Sequence, residues 1–95
     1  MKNYPTGNVA RVIFPDKPEI DVTPKKGKHF SFEELKEAGE VPDMYFEPIY
    51  LPNGYVMMVD EDGRYKQLPL NEQASTIYGR PILGTVFLTL QKNFK

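Results

Sequence analysis

The sequence predicts an α+β fold: a mainly antiparallel sheet of four to six strands with two short helices packed on it. Three observations lead there. Short apolar runs alternate with polar residues at a period of two, as in "EIDVTP" and "GTVFLTLQ". Two segments, "HFSFEELKEAGE" and "LNEQASTIYG", carry helix start and stop signals. Nine prolines and seven glycines in 95 residues favour short elements and many turns.

The elements follow in order. Residues 1–8 are polar with Pro5 and Gly7, and are expected to fray. Val9 to Phe14 is rich in β-branched residues and reads as a strand. After the turn "PDKP", Ile20 and Val22 share one face of a half-buried strand that pairs back on the first. In the first helix, Ser31 and Glu34 form a capping box and Phe30 with Leu35 a hydrophobic staple. Gly39 is placed to end that helix in the left-handed conformation. Next comes a hairpin whose Asn53-Gly54 pair suits a type I′ turn. Pro48 lacks a backbone donor, so its strand should be bulged or at an edge. Gly63 marks a second turn, and "RYKQL" reads as a short third strand of a meander. Asn71 caps the second helix, worth about 1 kcal/mol, and Gly79 closes it. The last strand, "GTVFLTLQ", should bury one side well. The whole chain, residues 1–95, reads as a single domain with one modest core.

Composition narrows the chemistry. A net charge of −1 suggests neither a nucleic-acid binder nor a decoy that imitates one. Without cysteine there is no disulfide framework, thiol nucleophile or cysteine-based zinc site, which fits a reducing cytoplasm. The N-terminus has no apolar signal stretch. The longest apolar candidate, Ile82 to Leu90, is broken by Gly84, Thr85 and Thr89, so no membrane span is expected.

The stretch "VDEDGRYKQLPLNEQAS" is the most pointed candidate site. Its Asp60, Asp62 and Gly63 resemble part of a calcium loop. With Gly63 in the sixth position, however, Met58 falls first and Pro69 twelfth, and neither is a ligand. An acid pair of Asp60 and Asp62 has no partner base or nucleophile in the sequence. "GRPILGT" has the glycine spacing of a phosphate loop but lacks its lysine, and a helix precedes it where a strand should. His29 is the only histidine, too little for a metal site even beside Glu33. Ser31 is better explained as a cap, and Ser75 has no neighbouring base. No catalytic residue, metal or cofactor is therefore assigned. Lys25, Lys26, Lys28 and Arg11 are candidate phosphate contacts. A pocket containing Asp60, Asp62 or Arg80 would favour a small-ligand site or an enzyme, and a filled interior would count against both.

Val59, Asp60, Glu61, Gly63, Leu68, Pro69, Asn71, Ala74 and Ser75 form a V-D-E-x-G…L-P-x-N-x-x-A-S segment, followed by Gly84 before the final strand. With Phe30 to Leu35 upstream, this resembles a family of small uncharacterised proteins from bacterial phages, plasmids and integrated elements. The family's glycine pair after the first helix is replaced here by "AGEVPDMYF". The resemblance implies a cytoplasmic protein of bacteria or phage-infected hosts and carries no catalytic residue. The function expected is that of a small non-enzymatic accessory protein that binds another macromolecule, a protein before a nucleic acid. The expected contacts are Asp60, Glu61, Asp62, Arg64 and exposed sheet aromatics. An unpaired edge strand would also allow a homodimer.

Overall fold

The computed structural model describes residues 4–94. Five strands form one antiparallel sheet: β1 (Ala10–Ile13), β2 (Ile20–Val22), β3 (Phe46–Tyr50), β4 (Tyr55–Asp60) and β5 (Val86–Leu90). Their order across the sheet is β2-β1-β5-β4-β3. Two helices, α1 (Phe32–Gly39) and α2 (Glu72–Tyr78), complete the α+β fold.

Strand alternation divides the core into two layers. Ala10, Val12, Val56, Met58 and Phe87 join Phe30 and Leu35 on the α1 face. Ile13, Met57, Val59, Val86 and Leu88 join Ala74 and Ile82 on the α2 face. The helices thus lie on opposite faces of the sheet. Central β5 is covered on both, not on the one side that its alternation predicts, so even its threonine at 89 is fully buried. The Thr89 hydroxyl donates to the Val9 carbonyl at 2.8 Å and accepts from the Asn93 side-chain amide at 2.8 Å, which removes the cost of burying it.

Local signals are realised where they depend on neighbours in sequence. Ser31 accepts from the Glu34 N–H while Glu34 accepts from the Ser31 N–H, completing the capping box. Asn53 and Gly54 both have positive φ, 66° and 83°, in the turn that joins β3 to β4. Gly79 caps α2 at φ 89°. The end of α1 differs from expectation. The helix runs through Gly39, and Glu40 takes the left-handed conformation at φ 60°. Gly39 serves packing instead: a Cβ there would lie 2.6 Å from the Phe87 ring. Its absence lets α1 sit close on the central strand.

One other expectation is corrected. "RYKQL" forms no strand. Asp60 Oδ1 accepts from the Asp62 N–H at 2.9 Å, and the Gly63 N–H donates to the Asp60 carbonyl at 3.1 Å, folding the chain over as β4 ends. Further turns follow, from Lys66 N–H to Asp62 O and from Gln67 N–H to Arg64 O, and they use the backbone groups a strand would need. Tyr4 and Pro5 of the first segment contact the sheet, while Thr6, Gly7 and Asn8 are exposed. Pro5 is buried, its carbonyl accepts from the Tyr55 hydroxyl at 2.8 Å, and the Tyr4 ring meets Tyr55 edge-on at 5.0 Å. The expected fraying of residues 1–3 lies outside the described residues.

Candidate functional site

Edge strand β3 is built from "FEPIY" and pairs in unbroken register with β4 from Phe46↔Asp60 to Tyr50↔Val56. Just beyond the strand, Leu51 N–H donates to Tyr55 O at 2.9 Å; just before it, Tyr45 O accepts from Glu61 N–H at 2.7 Å. Backbone groups alternate along a strand, so odd-numbered residues of β3 face β4 and even-numbered ones face outward. Pro48 is therefore at an outward position. Its missing donor breaks no bond to β4, no bulge is needed, and the edge is blunted against an incoming strand.

A groove opens on each face beside this edge. On the α1 face, the helix leaves β3 and β4 partly uncovered. Phe32, Phe46, Pro48, Tyr50, Met58 and Phe94 line a concavity of about 320 Å³. Phe32 and Phe46 stack at 4.6 Å, and Tyr50 is 68% exposed. On the α2 face, a second groove of about 450 Å³ has Ile49, Val59, Ile82 and Leu83 in its lining, together with Glu47, Asp60, Glu61 and Arg64.

The acidic turn divides into structural and presented residues. The Asp60 side chain is only 5% exposed and accepts from Lys66 Nζ at 2.8 Å. Hydrogen bonding to Asp60 holds the Lys66 ammonium above its ordinary pKa, against an opposing effect of burial. Lys66 also donates to the Asp43 carbonyl at 2.8 Å, so one cation ties the loop to the start of β3. Asp60 is thus a strut. Glu61, Arg64 and Tyr65 are exposed, Tyr65 to 90%, and Lys66 lies 5.7 Å from the ring of Tyr45, itself 64% exposed. Asp62 is half-buried and supplies backbone bonds to the turn, and Gly63 is buried under it.

The four proposed phosphate contacts do not form one surface. Arg11 shares its face with Leu88 and hence with α2, and it bonds Asp21 at 2.8 Å and Glu19 at 3.3 Å. Lys25 turns to α1, where Nζ meets Glu37 at 2.7 Å and its backbone N–H meets Glu34. Lys26 and Lys28 stay exposed, in the loop that leads from β2 to α1. The exposed tyrosines Tyr45 and Tyr50 flank β3, and Tyr65 lies in the turns after β4.

The serines are engaged. Ser31 caps α1, and Ser75 Oγ accepts from the Ile82 N–H at 2.8 Å. Among the described residues no group of three His, Asp or Glu side chains is arranged to hold a metal ion. No helix among them is long and apolar enough to cross a membrane. Sequence reasoning placed Pro48 at a bulge or an edge but missed the grooves beside it, because the even-numbered and odd-numbered positions of β3 acquire their meaning only from what packs on each face of the sheet. Compared with protein-family models, curated proteins and solved structures, the chain has no match.

Proposed function

We propose that this chain is a small non-enzymatic accessory protein that acts by binding a partner protein at the β3 edge. The observation that carries this reading is the arrangement there: exposed Tyr45, Tyr50 and Tyr65 around a blunted strand with a groove on each face. Exposed aromatics beside well-formed concavities suit protein partners, because such side chains bury much area at little entropic cost. A protein partner is favoured over nucleic acid because Arg11 and Lys25 are already held by carboxylates and the α2-face groove beside β3 carries Glu47 and Glu61. The likeness of Val59–Ser75 to phage and mobile-element proteins supports an origin on mobile DNA and action in the bacterial cytoplasm.

The test is cross-linking in a bacterial host with tagged chain, followed by mass spectrometry, in parallel with Tyr50→Ala and Tyr65→Ala. A partner that is captured by the parent and lost with either variant supports the reading. Recovery of chaperones alone overturns it.

A further inference from the structure

The α2-face groove differs in chemistry from its aromatic counterpart across the sheet. Its floor is aliphatic, from Ile49, Val59, Ile82 and Leu83. Its polar lining is mostly acidic. Asp60 is already neutralised by Lys66, but Glu47 and Glu61 are exposed and, among the described residues, have no side-chain hydrogen-bond or ion-pair partner. Asp43 and Asp62 add negative charge around Lys66. Arg64 is the only cation lining the groove among the described residues. The groove, about 450 Å³, contains Asp60 but lies open to solvent, which suits a docked segment better than an enclosed small ligand.

We propose that this groove receives a segment of the partner protein that carries a lysine or arginine beside aliphatic side chains. The inference rests on the protein-binding reading above and names the partner's chemistry. The aliphatic stem of a basic side chain covers the floor while its charged end reaches Glu47 or Glu61 at the rim. The exposed ring of Tyr78, also in the lining, offers a face for a guanidinium. Arg64 leaves room for one carboxylate on the same segment. Competing occupants fit less well. A polynucleotide meets uncompensated carboxylates, and an added strand meets Pro48. A second copy of this chain could offer Arg80 beside Pro81 and Ile82, and the peptide-free control below separates that occupant from a partner protein.

The test is an amide-resolved NMR titration of the full chain with a short capped peptide alternating leucine and arginine, and with its leucine–glutamate counterpart. The expected result is shifts centred on Ile49, Glu61, Gly63 and Leu83 with the basic peptide only. Binding should weaken about tenfold in the Glu47→Gln, Glu61→Gln double variant, the effect of removing rim charges that attract the ligand, and weaken again in high salt. Both residues are exposed and unbonded, so the variant keeps the fold. Equal binding of the acidic peptide, indifference to the double variant, or no shift at all overturns the inference. Shifts at Phe46 and Tyr50 overturn it too but leave the protein-binding reading standing. Concentration-dependent shifts at the groove without peptide reassign it to a second copy. Loss of every partner in the cross-linking experiment is what removes the broader reading.

Discussion

Asn71 does more than its position in the sequence implies. Its Oδ1 accepts from the Ala74 N–H at 3.1 Å, the capping bond that the "N-E-Q-A" order predicts. Its Nδ2 also donates to the Ile13 and Gly84 carbonyls, each at 2.8 Å, in a site where the residue is almost wholly buried. The first bond is legible because it spans three residues. The others are not, because Ile13 is 58 positions away and only the fold brings it near. Losing the cap and leaving two buried carbonyls unpaired should cost about 3 kcal/mol in Asn71→Ala, more than a cap alone. Urea denaturation measures this, and a change under about 1 kcal/mol would reduce Asn71 to an ordinary cap. Glu34 gives a second residue-scale prediction. Burial pushes its carboxyl up, but the N–H groups of Ser31 and Lys25 outweigh this and hold its pKa below the ordinary value. A carboxyl depressed in the folded state adds stability above its unfolded pKa, and that contribution disappears as pH falls through the folded value. Asp21, held low chiefly by its hydrogen bond from Arg11, acts in the same sense. Stability should therefore drop on acidification through the carboxylate range. Glu34→Gln should shallow the drop, as thermal melts across that range would register.

At the scale of elements, periodicity is a good guide for strands, while the turn at Gly63 is a poor one for the segment after it. "RYKQL" follows a turn as a third strand of a meander would, but the side chains of Asp60 and Lys66 hold it in a loop. Likewise, Gly39 reads as a stop signal in the sequence, while the structure uses it within α1 to bring helix and sheet together. Such uses depend on what packs opposite, which sequence spacing does not encode. Pro48, by contrast, announced an edge and occupies one. Its place on the outward side of β3 gives a prediction. Pro48→Thr restores a donor facing solvent without disturbing the pairing with β4, and so should promote self-association through β3. Light scattering coupled to size-exclusion chromatography reads this directly. A variant that remains monomeric wherever the parent does would show that proline is not what guards the edge.

For the molecule as a whole, the α+β class and both helices were readable in advance, whereas the placement of the helices on opposite faces was not. Burial of "VFLTL" on both sides is a property of its position between β1 and β4. The candidate surface was legible only in part. Glu61 and Arg64 are exposed, Asp60 is turned inward, and Arg11 and Lys25 are held by carboxylates. That pairing predicts that fluorescence anisotropy at low salt will detect no binding of single- or double-stranded DNA, whereas steeply salt-dependent binding would restore Lys26 and Lys28 as contacts. The sheet order also bears on how the protein is made. Strand pairs β1–β2 and β3–β4 are each local hairpins, and two-stranded units are at best marginally stable alone. They meet only through β5, which follows both in the chain. A chain cut before residue 86 should therefore lack the strand that joins the two hairpins, leaving β1 and β4 unpaired on that side and their apolar residues open to chaperones and proteases.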